Sequence, residues 1–124
     1  MSKFVRVRTQ LRDLALIKLA LDDVGVQYRE NAQYVHRWSG FTGQAPLLIS
    51  QRGLSFGLRE GQDGQYEVMG DDMQMKAIRQ VMDQVQQRYA YRQVLAETAK
   101  AGFALVEETV GDDDVIRLTV RRWA

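Results

Sequence analysis

Apolar positions along this chain switch between two periods, and the switch points outline its elements. Lys3 to Arg8 alternates, with Val5 and Val7 to one side and Phe4, Arg6 and Arg8 to the other, which predicts a strand. Thr9 then reads as an N-cap. From Gln10 to Val24 the residues Leu11, Leu14, Ile17, Leu21 and Val24 repeat at three and four, the spacing of a helix with one face on a core. Leu16, Leu19 and Ala20 widen the stripe beyond what one sheet face requires, so the helix is either well buried or a contact for a partner or second copy. Gly25 stands where a left-handed residue closes a helix. Val26 to Trp38 is strand-like with a turn or bulge at Glu30-Asn31, and Ser39 to Pro46 reads as a loop. Leu47–Ser50 and Leu54–Arg59 are short strands joined by Gln51-Arg52-Gly53, and after the tight connection Glu60–Gly64 comes a strand over Gln65–Met69. This succession predicts an antiparallel meander.

The longest uninterrupted stretch is Met73 to Lys100, 28 residues without Gly or Pro, closed by Gly102. Asp71 and Asp72 place carboxylates at its positive end, and Ile78, Val81, Met82, Val85, Tyr89, Leu95 and Ala99 trace its apolar stripe. Such a helix is about 42 Å long, whereas a globule of this size is roughly 35 Å across. It therefore either overhangs the sheet or bends near Arg88-Tyr89-Ala90-Tyr91. Phe103–Thr109 and Val115–Trp123 read as strands around the acidic turn Val110–Asp114. In the last strand Ile116, Leu118 and Val120 share one face, while Arg117, Thr119, Arg121 and Trp123 share the other.

Both helices end alike, in ALDDVGVQY and TAKAGFALV, as helix, glycine and apolar strand. Two strand-helix-strand units in one domain over residues 1–124 predict an α+β fold: a ferredoxin-like two-layer sandwich with a mostly antiparallel sheet, two helices on one face and extra strands.

Composition removes chemistry more than it adds any. The chain has no cysteine and one histidine, His36, which excludes disulfides, thiolate sites and paired histidine ligands. Seventeen Lys and Arg stand against sixteen Asp and Glu, so a net charge of +1 supplies no bulk attraction to nucleic acid or membrane. No stretch nears the ~20 apolar residues of a membrane span, and the start MSKFVRVRTQ lacks a signal-peptide core. The expectation is a soluble protein that stays where it is made, with no cofactor and no metal. Ser39-Gly40-Phe41-Thr42-Gly43-Gln44 lacks the Lys-Ser/Thr ending of a phosphate loop. Asp112-Asp113-Asp114 reads as a solvated turn, and His36 as a polar strand residue.

Two constellations could bind. If helices cover one sheet face, the other presents Arg117, Arg121 and Trp123, joined by Phe4, Arg6 and Arg8 should the first strand lie nearby. Such a basic, aromatic face is either a solvated one, whose arginine stems cover apolar surface while their heads meet Glu107, Glu108 or Asp112, or a binding site. As a site it suits a protein partner, or single-stranded RNA whose bases stack on rings while arginines meet phosphate. In the long helix Tyr89 and Tyr91 lie about 200° apart, so Tyr89 takes the core stripe and Tyr91 goes outward with Arg88 and Arg92, one turn apart. The assigned partner surface is therefore Arg6, Arg8, Arg88, Tyr91, Arg92, Arg117, Arg121 and Trp123. A small-molecule or enzyme site near Gly40–Gln44 is a further alternative.

Several segments resemble the hypothetical chloroplast reading frame thirty-five family of plastids, cyanobacteria and other bacteria. They are Phe4-Val5-Arg6-Val7-Arg8-Thr9 with Leu11-Arg12-Asp13-Leu14, Gly40-Phe41-Thr42-Gly43-Gln44, Phe56-Gly57-Leu58, Gln87-Arg88-Tyr89-Ala90-Tyr91, and the ending Ile116-Arg117-Leu118-Thr119-Val120-Arg121-Arg122-Trp123-Ala124. The Arg-Tyr-Ala-Tyr run and the Arg-Arg-Trp-Ala terminus are the more specific pieces. Where the family often has aromatic residues before the long helix, this chain has Asp71-Asp72-Met73-Gln74-Met75. The resemblance implies no catalytic residues. It implies an accessory or adaptor role beside AAA-type ATPases, in the cytoplasm or, for a plastid-encoded protein, the stroma. The expected partner is a protein, with nucleic acid and a second copy as alternatives.

Overall fold

β1 (Phe4–Arg8) ends at Thr9, whose hydroxyl donates to the Tyr66 carbonyl at 2.7 Å and accepts the Leu11 amide at 3.1 Å. With its oxygen engaged there, Thr9 does not cap a helix. The first helix, α1 (Leu14–Val24), is instead capped by Asp13, which accepts the Leu16 amide at 3.2 Å, so it begins at Leu14 rather than Gln10. Gly25 closes it at φ 81°, the left-handed conformation that glycine adopts without steric cost. The computed structural model describes residues 2–113 and 115–122.

β2 (Gln27–His36) and β3 (Phe41–Gln51) form one long hairpin, paired from Gln27 opposite Ser50 to His36 opposite Phe41. The loop read over Ser39–Pro46 shrinks to the turn at 37–40, because a long cross-strand ladder overrides the turn-forming composition of that stretch. β4 (Leu54–Glu60) and β5 (Tyr66–Asp71) complete the meander, and β1 pairs with β5. The result is a five-stranded antiparallel sheet in the order β1-β5-β4-β3-β2. A single 3₁₀ turn, Asp72–Gln74, leads into α2 (Met75–Lys100), which is continuous over its 26 residues. β6 (Phe103–Val110) and β7 (Ile116–Arg122) then form a hairpin that does not enter the main sheet.

The α+β class and the antiparallel sheet follow the sequence reading, with α1 and α2 packed on one face of the sheet. The ferredoxin-like strand order does not: the strand after α2 pairs with β7 instead of returning beside the meander.

The main core lies between the helices and one sheet face. Phe56, Leu58, Leu47, Ile49 and Val68 from the strands meet Ile17, Leu21, Ile78, Met82 and Val85 from the helices. Each buried aliphatic or aromatic side chain of this kind contributes about 1.5–3 kcal/mol. A smaller cluster of Tyr34, Ala45, Leu48 and Met69, flanked by Phe4, Ala32 and Phe41, sits on the opposite face. It exists because the β2–β3 hairpin bends. Asn31, at φ 52°, and Pro46 interrupt the ladder between the Glu30–Leu47 and Ala32–Ala45 pairs. Beyond that point the hairpin folds over the back of the sheet. It brings Phe41 onto Phe4 of β1, at the far edge, in a stacked pair 3.9 Å between centroids.

Candidate partner surface

The two ends of the predicted surface separate. β1 lies at one edge of the main sheet and β7 in a different one, so no continuous face unites Arg6 and Arg8 with Arg117 and Arg121. Trp123, the proposed aromatic member, lies outside the described residues. The back of the main sheet is also covered rather than open. Arg6 rests its guanidinium 5.6 Å from the Phe4 ring and 5.7 Å from Phe41, capping the stacked pair. Arg8 pairs with Asp63 in the β4–β5 connection.

Arg88, Tyr91 and Arg92 are brought together on α2, and their partners are within the chain. Both arginines reach Asp23 near the end of α1. Arg92 bonds both carboxylate oxygens, at 2.8 and 2.6 Å, and Arg88 bonds Oδ2 through two nitrogens at 3.3 Å each. The hydrogen bond from Arg92, helped by the charge of both guanidinium groups, holds the Asp23 carboxyl below its ordinary pKa and raises that of Arg92. The Arg88 guanidinium also lies 4.1 Å from the Tyr91 ring centre. The Tyr91 hydroxyl donates to Glu108 Oε2 of β6 at 2.9 Å, which pushes the phenol pKa up. These side chains brace the second half of α2 between α1 and the β6–β7 hairpin.

That bracing creates a surface. Buried residues on α2 stop at Tyr89, although the helix continues to Lys100. Tyr89 itself is anchored, its hydroxyl accepting the amides of Arg12 and Asp13 at 3.2 and 3.1 Å. Past it, Ala90, Tyr91 and Val94 face Val115, Ile116 and Leu118 across a largely apolar groove of about 320 Å³. Val94 is 42% exposed and Val115 46%. On the other face of β7, Arg117 and Arg121 are exposed; Arg117 pairs with Asp113 at 3.1 Å. Alternation in the sequence located Ile116 and Leu118 on one face, but the helix that faces them could not be read from it.

His36 is a polar strand residue, as its sequence context predicts, but a buried one with partners on both ring nitrogens. It is 3% exposed, at the end of β2. Its Nδ1 accepts the Ser39 amide at 3.2 Å and lies 2.6 Å from the Ser39 hydroxyl, so Nε2 carries the proton and donates to Asp71 Oδ2 at 3.1 Å. Ser39 Oγ in turn accepts the Phe41 amide at 3.1 Å. This has the connectivity of a hydroxyl–imidazole–carboxylate relay. Every member, however, also fixes backbone: Asp71 Oδ1 accepts the Met73 amide at 2.8 Å at the start of the 3₁₀ turn. Burial opposes ionisation of Asp71, but the Met73 amide and His36 outweigh it and hold the carboxyl low. The chain thus ties the folded-over hairpin tip to the entrance of α2. Gly40–Gln44, the alternative small-molecule loop, lies in the turn and β3.

Among the described residues no group of three His, Cys, Asp or Glu stands together as metal ligands. Among the same described residues no helix is long and apolar enough to cross a membrane.

Comparison with known proteins gives a family without an assigned role. The chain is 30% identical over 126 residues to the uncharacterized protein ycf35 of Pyropia yezoensis, an alignment covering 99% of this chain and 98% of that protein. It is 28% identical to the proteins of the same name from Guillardia theta and Cyanophora paradoxa, each alignment covering 99% of this chain and 98% of the relative. No solved structure matches it. Residues 20–119, which take in the end of α1, the meander from β2 to β5, all of α2, β6 and the first half of β7, match the family described as protein of unknown function (DUF1257), and the chain belongs to that family.

Proposed function

We propose that this protein is a non-enzymatic accessory module that holds a protein partner on an arm made of the second half of α2 and the β6–β7 hairpin. The observation that carries the reading is the apolar groove between Val94 and Leu118, on a helix that has left its own core but is held by Asp23 and Glu108. A groove pre-set by such braces binds without first ordering the side chains that line it, which lowers the entropic cost of association. Exposed Arg117 and Arg121 on the hairpin add charge that selects among partners. The site assigned to the partner is thereby narrowed: Arg88, Tyr91 and Arg92 support the surface from within, while β7 and the outer side of α2 present it. An AAA-type ATPase, the class implied by the family resemblance, is a partner of the expected kind. The compartment proposed is the cytoplasm, or the stroma in a plastid. Single-stranded RNA has less support, because Arg6 already covers the Phe4 and Phe41 rings on which bases would stack.

The test is affinity capture with cross-linking, comparing the unmodified protein with the Val94→Asp/Val115→Asp variant. Both positions are exposed, so folding is retained. Loss of a specific protein from the captured set supports the reading. An unchanged set removes the groove as the contact.

A further inference from the structure

We infer that the partner reaches this arm as an extended segment alternating acidic and apolar residues, which adds a strand to the outer edge of β7. The inference rests on the adaptor reading and specifies its ligand. Among the described residues β7 pairs with β6 alone. In an antiparallel pair every second residue turns its N–H and C=O away from the neighbour, so β7 offers a row of groups that a further strand can satisfy. The two faces of β7 then dictate what that strand carries. Side chains on one face would lie beside exposed Arg117 and Arg121, where carboxylates are favoured across the ladder. Side chains on the other would lie beside Ile116 and Leu118, over the apolar groove closed by Val94. The Arg117–Asp113 pair is exposed on both sides, and such a pair contributes little enough to exchange for a new carboxylate.

Charge also discriminates against other arrangements. β6 carries exposed Glu107 and Glu108, which repel an acidic segment from that edge. Antiparallel pairing of β7 with a second copy about Thr119 would set Arg117 opposite Arg121, a like-charge clash.

The probe is a capped octapeptide of alternating Glu and Val, added to the full chain, with amide hydrogen exchange followed by NMR. Exchange at β7 amides is expected to slow at least about tenfold, equivalent to ~1.4 kcal/mol. That protection should weaken with added salt and with Arg121→Glu, and be absent with a Lys-Val peptide. No slowing at β7, or equal slowing by the Lys-Val peptide, overturns the inference. So does β7 protection that appears without peptide and rises with protein concentration, since a second copy would then occupy the edge. If Val94→Asp/Val115→Asp abolishes partner capture while the acidic peptide gives no protection, strand addition fails and the adaptor reading stands. If that variant leaves capture unchanged, the adaptor reading fails first.

Discussion

Arg92 of α2 grips Asp23 of α1 in a two-point contact, Nε to Oδ2 at 2.8 Å and Nη2 to Oδ1 at 2.6 Å. Arg92 stands beyond the last buried residue of α2, so this contact fixes a part of the helix that core packing does not reach. The planar fork matches a carboxylate in a way an ammonium cannot. Arg92→Ala should cost about 1–2 kcal/mol, a charge-assisted hydrogen bond discounted for partial exposure. Arg92→Lys should recover only part of it. Urea unfolding of the two variants measures both, and equal stability of Lys and Arg at this position would refute the two-point account.

The same contact sets a pH dependence. The Asp23 carboxyl is depressed, first by the Arg92 hydrogen bond and then by the two guanidinium charges. A group with a lowered folded-state pKa contributes stability that is complete above its unfolded value, ~3.9 for aspartate, and is lost as pH falls through the lowered one. The stability gap between the unmodified protein and Asp23→Asn should therefore be widest at neutral pH and shrink below about pH 4. Urea midpoints measured from pH 7 down to 3 decide it; a gap that does not change with pH would exclude Asp23 as the titrating group.

Gly57 marks where the hairpin crosses the back of the sheet. A Cβ there would lie 2.9 Å from Met69 Cε and 3.1 Å from Ala45 Cβ. Met69 can move its terminal methyl, but Ala45 sits on backbone and cannot. Gly57→Ala should destabilise by about 1–3 kcal/mol through overpacking. Ser55→Ala, at an exposed position of the same strand, should stay within ~0.5 kcal/mol. Thermal melting of the pair checks the contrast.

His36→Ala removes the acceptor of the Ser39 amide and a donor to Asp71 from a buried position. The expected loss is about 1–3 kcal/mol. Because the histidine ties the hairpin tip locally, amide exchange at Ser39 and Phe41 should rise before exchange in β4 does. A uniform rise across the sheet would mean that His36 supports the whole core instead.

Tyr91→Phe deletes one hydroxyl, the one that donates to Glu108. It should loosen the β6–β7 hairpin by about 0.5–1.5 kcal/mol while leaving the five-stranded sheet unchanged. Site-resolved hydrogen exchange separates the two, since the arm and the sheet open as different units. Faster exchange in both would show that they unfold together.

Much of the element order was legible because periodicity reports which face of an element is dry. The three-and-four spacing from Leu14 to Val24 and from Ile78 to Tyr89, and the alternation in Leu54–Leu58 and Ile116–Val120, are each found as helix or strand. Capping was misjudged at Thr9 because an N-cap hydroxyl and a hydroxyl bonded to a distant carbonyl look the same in sequence; Tyr66, far along the chain, decides between them. The loop reading of Ser39–Pro46 failed for a related reason. Serine, glycine and proline favour turns locally, but most of this stretch forms a strand held by partners in β2.

The partner surface was the least legible part. Residue types alone put Arg6, Arg8, Arg117 and Arg121 together, on the premise that all strands share one sheet. What the sequence determined was the set of amphipathic elements, the glycines that end the helices, and a helical stretch too long for its globule. Periodicity is local, and these properties follow from it. That α2 runs on unbroken past its core was decided by the structure. The tertiary structure decided which strands pair, that the hairpin bends at Asn31 and Pro46 to cover the back of the sheet, and that Arg88 and Arg92 turn inward to Asp23. Each of those depends on free energies between residues far apart in the chain, which no spacing along it records.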